Sequence, residues 1–498
     1  MLYSNERITE SIIEALDRML LRTDIPKDAV YDLTIVSAGL RHLQHFEMGA
    51  DNEARRFVQE LVVILQTIEG SKLPVTGKET VRALHNHAEM FLASASSGNR
   101  LKNEFIDLLK SMDGAFAQLI ELAPESAGPL LATLVDPLIK QHNGVVMFSS
   151  AATPQLDEVS PGEPLNEENL SAYLRKKLGD ETALAFNITT LAGGFGKETT
   201  LFSVASRNFN ADLVMRRDTP INVFGNLECH IAANEFPVIK AVHSRGIAAP
   251  EPLWCELLPQ IIKGPAYSIV RRVPGMVIGD ATGGTGKISR DLQRMLAQTI
   301  ASIHALPPLV ELRGIAAHDP ELREVKAGEC VRQHIAAYYR FYLDSAHIAT
   351  PVLHGLFNWL LAHVPESDDA TTLVHGDFGF HNLLFDAGKL TAVLDWEFSH
   401  VGDPGEDLAY VRNMMGSQIE WPLFLEDYRQ AGGRVPDERR LLFYEIWSHV
   451  RNTTSTVILA QQFESGRLRH VKYGMMLYRY IPYWITQTQL LIKKWNGD

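Results

Sequence analysis

The first 150 residues repeat apolar side chains at the spacing of a helix. Phe57, Leu61 and Leu65 lie four residues apart, and the same periodicity recurs over residues 105–120. Residues at this spacing share one face of an α-helix, which is buried when the face packs against a neighbour. Alternation typical of strands is not evident here. We therefore expect residues 1–150 to form an all-helical domain.

The pattern changes after residue 150. Residues 151–168 are rich in proline, glycine, serine and acidic residues, a composition typical of a linker. Asn166 is a candidate N-cap for the helix that follows. Beyond it, short runs of apolar or alternating residues are separated by glycine and proline turns, which indicates strands. The predicted strands are Leu184–Leu191, Thr199–Ala205, Ala211–Arg217 and Ala266–Val273. With a helix over residues 231–242, they predict a small α+β lobe at 169–275.

Residues 276–498 return to helical spacing with one interruption. Between residues 371 and 396, three apolar runs flank a polar loop and are predicted to be strands: Thr372–Val374, Leu383–Phe385 and Leu390–Leu394. The fold class that we expect is therefore α+β, with a helical N-terminal domain, a mixed lobe and a larger, mainly helical lobe at 276–498.

Composition and charge narrow the class of protein. Hydrophobic residues make up 46% of the 498 residues and charged residues 21%, which is typical of a globular chain. The formal charge is −13, whereas a general nucleic-acid-binding protein needs clustered lysine and arginine. The three cysteines are far apart, no apolar run reaches the roughly 20 residues of a membrane span, and the N-terminus lacks a signal-peptide pattern. We therefore expect a cytoplasmic protein that binds neither nucleic acid nor membrane.

The strongest chemical signal is the polar loop between the C-terminal strands. It reads His375-Gly376-Asp377-Phe378-Gly379-Phe380-His381-Asn382, and Asp395-Trp396-Glu397 follows one strand later. An aspartate in such a loop can orient a hydroxyl and accept its proton as the oxygen attacks phosphorus. An amide oxygen and a second carboxylate are hard ligands of the kind that Mg²⁺ takes together with phosphates and water.

This block, with Gly402-Asp403-Pro404 and Asp407-Leu408-Ala409 after it, resembles the aminoglycoside phosphotransferase and choline kinase-like superfamily. The resemblance implies a bilobal protein-kinase-like fold with a β-rich N-lobe and a helical C-lobe. It also implies transfer of the γ-phosphoryl group of ATP, with Mg²⁺, to a hydroxyl of a small molecule. The resemblance does not cover residues 1–150.

The resemblance assigns roles to individual residues of the block. Asp377 matches the catalytic aspartate, and Asn382 and Asp395 match the Mg²⁺ ligands. His375 and Gly376 match residues that shape the loop. Asp407 is expected to stabilise the loop rather than to react.

The resemblance also implies a nucleotide site upstream. A glycine-rich loop between two predicted strands matches the loop that covers the phosphates with backbone N–H groups. Its residues are Gly193, Gly194, Phe195, Gly196 and Lys197. Arg216 matches the phosphate-binding cation, a position at which many kinases have lysine. Its ion-pair partner is expected to be Glu235, with Glu228 as the alternative. Arg271, Arg272 and Val273 match the strand and hinge that pair with adenine.

The acceptor is less well defined by the sequence. The pattern looks closer to the branch related to the kinase-like domain of some acyl-CoA dehydrogenase proteins than to dedicated resistance enzymes, which suggests an aromatic alcohol, a phenol or a hydroxyacyl thioester. The alternative is a nucleotide-binding pseudokinase whose helical domain recruits a partner; the retained Asp377, Asn382 and Asp395 disfavour it. A protein kinase is disfavoured because no long activation segment separates Asp395 from Asp407. Residues 1–150 are expected to cover the acceptor pocket or to mediate self-association; the alternative is a fused module with no effect on turnover.

Overall fold

A computed structural model of the protein describes most of the chain after residue 50. The described residues are 51–133 apart from 53, 162–191, 196–219, 230–280, 283–284, 286–312, 320–367, 369–465 and 480–497. The predictions for Gly193, Gly194, Phe195 and Glu228, and for most of the linker at 151–168, lie outside these residues.

The described helices are numbered in chain order. They are α1 (54–69), α2 (Val75–Ala93), α3 (Gly98–Leu122), α4 (Pro124–Thr133), α5 (Glu167–Leu178), α6 (Ala232–Ser244), α7 (Arg290–His304), α8 (Ala327–Asp344), α9 (Val352–His363), α10 (Pro404–Met415), α11 (Trp421–Gln430), α12 (Glu438–Glu464) and α13 (Ile481–Asn496). Short 3₁₀ helices include Phe380–Asn382 and Trp396–Phe398. None of the helices described is both long and apolar enough to cross a membrane.

The strands form one five-stranded sheet and three two-stranded pairs. They are β1 (Leu184–Thr190), β2 (Lys197–Ala205), β3 (Ala211–Asp218), β4 (Pro252–Glu256), β5 (Tyr267–Arg271), β6 (Gly279–Asp280), β7 (Gly283–Gly284), β8 (Thr372–Val374), β9 (Leu383–Asp386), β10 (Lys389–Val393) and β11 (His400–Gly402). The large sheet has the order β1-β2-β3-β5-β4 and is antiparallel throughout. The predicted strands are all confirmed, and β4 is a strand that the sequence analysis did not locate.

The chain divides into two compact units. One, here called the helical unit, consists of Met1–Gln155, Ile335–Val364 and His449–Asp498. The other, the mixed unit, consists of Leu156–His334 and Pro365–Ser448 and contains every described strand. Residues 335–364 and 449–498, assigned from the sequence to the C-terminal lobe, thus group with the N-terminal helices. The division of the chain into the domains 1–150, 169–275 and 276–498 stays a prediction.

Helices that are distant in sequence pack together within the helical unit. Helix α4 packs along α9, and α2 packs along α3. A buried carboxylate of α3 adds polar contacts, because Asp113 accepts hydrogen bonds from the Tyr342 hydroxyl at 2.7 Å and the Thr350 amide at 3.2 Å. His347 and His354 also face it, at 2.8 and 3.3 Å. Burial raises the pKa of Asp113, but the two histidines outweigh burial and hold the pKa well below its usual range.

Proline marks one helix boundary. The chain breaks at Ala123, just before Pro124, whereas Pro129 lies inside α4. Proline is well tolerated in the first turn of a helix, where its missing N–H has no intrahelical partner. Pro124 occupies the first position of α4, which explains why the new helix starts there.

The mixed unit has two cores. The first lies between α5 and the large sheet and contains Tyr173, Phe202, Leu213 and Ile269. Asn166 caps α5, since its side chain accepts the Asn169 N–H at 2.9 Å, as predicted. The second core joins α6, α7, α10 and α11 to the short strands, through residues that include Leu296, Ile300, Phe378, Trp396, Leu408 and Phe424. The loop 375–382 leaves this core between β8 and β9, and Asp395 follows β10.

Candidate functional site

A single buried carboxylate holds the first residues of the loop 375–382. Asp407, near the start of α10, accepts the backbone N–H groups of His375 and Gly376, both at 2.8 Å. On its other side His304 of α7 lies 3.0 Å from Asp407, and the hydroxyl of Tyr428 lies 2.8 Å from the second ring nitrogen of His304. Asp407 therefore stabilises the loop, which is the role predicted for it.

The loop turns sharply where only glycine fits. Gly376 has φ of +80°, and a Cβ at this position would come within 2.4 Å of the Phe398 carbonyl oxygen. The neighbouring His375 accepts the Asp377 backbone N–H at Nδ1 and binds the Leu394 carbonyl oxygen through Nε2, at 3.2 and 3.0 Å. Burial lowers the pKa of His375, which keeps this ring neutral with its proton on Nε2.

The loop presents Asp377 as a charged carboxylate with fixed orientation. The Asn382 side-chain amide donates to the backbone oxygen and to Oδ2 of Asp377, at 3.0 and 2.7 Å. The His381 ring lies 3.2 Å from the same Oδ2. Burial raises the pKa of Asp377, but His381 outweighs it and the pKa lies below its usual value. Because the amide nitrogen of Asn382 is committed to Asp377, its Oδ1 is the atom left for a cation.

Asp395 lies at the end of β10 in a backbone conformation that non-glycine residues rarely adopt, with φ of 62° and ψ of 66°. Its Oδ1 accepts a hydrogen bond from Arg216 at 2.7 Å. Arg216 also donates to Glu235 of α6 at 2.5 Å, which is the ion pair predicted from the sequence. Burial opposes ionisation of Asp395, but Arg216 and Lys197 outweigh it, so the pKa of Asp395 is lowered.

Lys197, the first residue of β2, is a second buried cation beside Arg216. Its side chain is 1% exposed, and Nζ lies 3.0 Å from Glu235 Oε2 and 3.2 Å from Glu397 Oε2. Burial would lower the pKa of Lys197, yet the two carboxylates raise it above its usual value. Burial and the nearby Asp395 raise the pKa of Glu397. Two cations and three carboxylates are thus brought together from separate parts of the chain.

Both cations, together with Asp395 and Glu397, line a cavity of about 330 Å³. Side chains at alternate positions of the sheet face it, and the residues around it include Leu201, Thr199, Lys197, Val214, Arg216, Ile239, Val270, Asn382, Asp395 and Glu397. Its apolar side chains suit a flat ring, and its charged side chains suit an anion with a metal ion. Arg271, Arg272 and Val273 also line the cavity.

Comparisons with known proteins agree with this geometry. The model of the phosphotransferase enzyme family matches residues 188–444. The chain belongs to this phosphotransferase family. Acyl-CoA dehydrogenase family member 11 of Pongo abelii is 30% identical over 264 residues, 51% of this chain and 32% of that protein. The chain thus spans about a third of the length of this curated relative.

Solved structures of phosphotransferases are similar to the chain at lower identity. A putative aminoglycoside phosphotransferase from Ralstonia eutropha is 20% identical with a TM-score of 0.47, covering 66% of this chain and 98% of that one. A macrolide 2′-phosphotransferase from Brachybacterium faecium is 19% identical with a TM-score of 0.42, covering 63% and 98%. The α+β fold class expected from the sequence is confirmed by the described helices and the antiparallel sheet.

The structure brings together most of the site residues that the sequence nominated for a phosphotransferase. Gly196, Lys197, Arg216, Asn382 and Asp395 all line the cavity. Two of the backbone groups expected to bind adenine already make other hydrogen bonds. The backbone N–H of Arg271 donates to the Glu251 carbonyl, and the backbone N–H of Arg272 donates to the Asp212 carbonyl. The roles of all these site residues in binding and catalysis remain predictions.

Three residues of the phosphotransferase site were missed by sequence reasoning. Glu397 stands in the motif Asp395-Trp396-Glu397, so its position was a usable signal, but no role was assigned to it. His381 lies within the catalytic block and was passed over in the same way. His304 ends an amphipathic helix far from the block, and helical periodicity does not distinguish a buried histidine that binds Asp407 from one that only packs.

Proposed function

We propose that the protein is an ATP- and Mg²⁺-dependent phosphotransferase that moves the γ-phosphoryl group to a hydroxyl of a small molecule. The observation that carries the proposal is that Asn382, Asp395, Arg216 and Lys197 line one cavity. Phosphoryl transfer depends on positioning and on neutralisation of phosphate charge, and these side chains supply both. Family membership supports the same reaction class.

We propose that the base of the nucleotide lies against the apolar side chains of the cavity. Leu201, Val214 and Val270 would contact the base, and the charged groups would face the phosphates. Since the N–H groups of Arg271 and Arg272 bind other carbonyls, a backbone donor for adenine would come from Val273. Gly193, Gly194, Phe195 and Gly196 are proposed to cover the phosphates.

The side chains present fit a magnesium ion. Asn382 has Oδ1 left after its amide nitrogen binds Asp377, and Asp395 is ionised, so the two offer the hard oxygen ligands that Mg²⁺ prefers. When bound, the ion would neutralise charge on the nucleotide phosphates. In that state Arg216, which now donates to Asp395, would share this carboxylate with the metal.

The proposed chemistry at the acceptor belongs to Asp377. Its carboxylate is 13% exposed and ionised, so it can orient an acceptor hydroxyl and take its proton as the P–O bond forms. Asn382 and His381 hold it from one side. Asp407 fixes the backbone on which Asp377 stands, through His375 and Gly376.

We propose an aromatic alcohol, a phenol or a hydroxyacyl thioester as the acceptor. Its support is the similarity to acyl-CoA dehydrogenase family member 11, whose name points to thioester metabolism in that protein. The helical N-terminal segment is proposed to cover the acceptor or to mediate self-association. Light scattering of the full chain tests whether the protein self-associates.

The decisive experiment is mass spectrometry of products after incubation with Mg-ATP and a hydroxyl-compound library that includes phenols and hydroxyacyl-CoA thioesters. A product heavier by one phosphoryl group, absent with Asp377→Asn, is the expected result. Binding of Mg-ATP without any phosphorylated product would favour the pseudokinase alternative. Failure to bind Mg-ATP would contradict both functions.

A further inference from the structure

Two cations share the helix glutamate of this site. In protein kinases a lysine of the third strand pairs with a glutamate on the following helix and holds nucleotide phosphates. Here the third strand supplies Arg216, which binds Glu235 Oε1 at 2.5 Å. A lysine nevertheless reaches the same carboxylate, because Lys197 Nζ lies 3.0 Å from Glu235 Oε2 and comes from the neighbouring strand β2.

Arg216 is already committed on two sides. One terminal nitrogen of its guanidinium binds Glu235, and the other binds Oδ1 of Asp395 at 2.7 Å. Both partners are carboxylates, and Asp395 is the proposed metal ligand. The guanidinium is therefore placed to orient Asp395.

Lys197 lies further along the same face of the sheet. Thr199 pairs with Arg216 across the two strands, and Lys197 pairs with Asp218, two residues closer to the start of β2. Because side chains alternate along a strand, Lys197 and Thr199 face the same side, and both line the cavity. An ammonium has three donors, and the described contacts of Lys197 with Glu235 and Glu397 account for two of them.

We propose that Lys197 directly contacts the phosphates of the bound nucleotide, and that Arg216 acts mainly as a positioning residue for Asp395. This inference rests on the proposed phosphotransferase function. An ammonium that is 1% exposed is costly to keep in a cavity unless anions surround it. Its two carboxylate partners keep it charged when the nucleotide is absent, and phosphate oxygens would use the remaining donor.

The test measures how much the phosphates add to nucleotide binding. Dissociation constants of Mg-ATP and of adenosine are measured by calorimetry for the full chain and for Lys197→Gln. The variant is expected to bind Mg-ATP about tenfold to a hundredfold more weakly, since a charge-assisted hydrogen bond is lost. Adenosine binding should stay unchanged because adenosine has no phosphate. Lys197→Arg, which keeps the charge, should recover part of the preference for Mg-ATP.

The positioning role of Arg216 has its own readout. Arg216→Gln is expected to raise the Mg²⁺ concentration needed for half-maximal ATP binding more than it changes the affinity for ATP at saturating Mg²⁺. A merely structural role of Arg216 would not raise the Mg²⁺ requirement more than it lowers the affinity for ATP at saturating Mg²⁺. An equal loss at all Mg²⁺ concentrations would overturn this half of the proposal and make Arg216 the principal phosphate contact.

A matched control separates local from general effects. Lys177→Gln removes a lysine of the same unit that pairs with Glu256 outside the cavity, and it should leave both dissociation constants unchanged. If Lys197→Gln does not fold, the double variant with Glu397→Gln removes the buried cation together with one of its anionic partners. A folded variant with an unchanged preference for Mg-ATP over adenosine would overturn the inference alone. Failure of the unmodified protein to bind Mg-ATP would remove the proposed function and this inference with it.

Discussion

Replacing Asp407 with asparagine tests whether one buried carboxylate holds the loop 375–382. The wild-type side chain is fully buried and accepts two backbone N–H groups at 2.8 Å, with His304 at 3.0 Å. Asparagine has nearly the same shape but only one accepting oxygen. Its NH₂ group must therefore face one of the N–H donors of His375 or Gly376, which leaves that donor unsatisfied.

The size of the effect follows from these contacts. A hydrogen bond to a charged group contributes about 1.5–3 kcal/mol, and an unsatisfied buried donor costs about 1–3 kcal/mol. We therefore expect Asp407→Asn to lower the free energy of unfolding by about 3–5 kcal/mol, as when one partner of a buried pair is removed. For a unit of this size that corresponds to a drop in Tm of about 6–20 °C. Phosphoryl transfer should fall as well, because Asp377 stands on the released backbone.

The assay is thermal unfolding followed by circular dichroism, with Glu311→Gln as the matched control. Glu311 pairs with Arg245 at 2.8 Å, but its side chain is 48% exposed, so the same carboxylate-to-amide change should cost less than about 1 kcal/mol. A Tm of Asp407→Asn within about 2 °C of the wild type would refute the reasoning.

The acid dependence of stability gives a second check on Asp407. Burial opposes ionisation, but His304 outweighs it, so the pKa of Asp407 is lowered on folding. A carboxylate with a lowered pKa stabilises the fold above its unfolded pKa, and this contribution is lost as the pH falls through the folded pKa. Between about pH 4 and more acidic values, the wild type should therefore lose more stability than Asp407→Asn. Parallel acid-unfolding curves would contradict this.

Three further predictions concern other positions. Gly376→Ala should destabilise the protein by at least about 2 kcal/mol. The control Gly388→Ala, at a similar φ of +76° but in open space, should cost about 1 kcal/mol. Equal midpoints of urea unfolding for the two variants would contradict this prediction. Burial lowers the pKa of His449 to about 4, so stability should be lost as the pH falls from about 6.5, and His449→Gln should reduce the difference between pH 7 and pH 5 by about 2 kcal/mol. Asp377→Asn should keep Mg-ATP binding while losing transfer, and Asp395→Asn should lose the Mg²⁺ dependence of ATP binding. If calorimetry shows that Asp377→Asn is the variant that loses the Mg²⁺ dependence, Asp377 would be the metal ligand and Asp395 the group that acts on the acceptor.

Local patterns in the sequence were enough for the predicted strands and for the loop 375–382, but not for β4, β6, β7 and β11. Each predicted strand is a short apolar or alternating run bounded by turn residues, and the loop from His375 to Asn382 is one uninterrupted motif. The Arg216–Glu235 pair spans only 19 residues, one strand and the helix after it, so it was within reach of the same reasoning.

Contacts between distant segments could not be predicted in this way. Arg216 binds Asp395 across 179 residues and Lys197 binds Glu397 across 200. Periodicity shows which face of a strand is buried, but it does not show which carboxylate comes to that face from elsewhere. For this reason Lys197 was assigned to the covering loop, although its side chain lies buried between two glutamates.

The composition of the helical unit has a consequence for how the chain is synthesised. Helix α4, at Pro124–Thr133, packs along α9 at Val352–His363, and about 220 residues separate the two. Ribosomes add about 5–20 residues per second, so α4 emerges roughly 10–40 s before its partner. Its buried residues Ala127 and Leu131 have no native partner on α9 during that interval.

The helices of residues 54–133 are therefore made well before the segments with which they form one unit. The helical unit also includes His449–Asp498, so it cannot be completed before those residues have been translated. Until then, the nascent chain exposes apolar helix faces of the kind that chaperones bind and that aggregate at high concentration. Slow translation between residues 133 and 352 would lengthen this exposure, which makes protein yield in the cell sensitive to codon choice in a stretch that encodes much of the proposed nucleotide site.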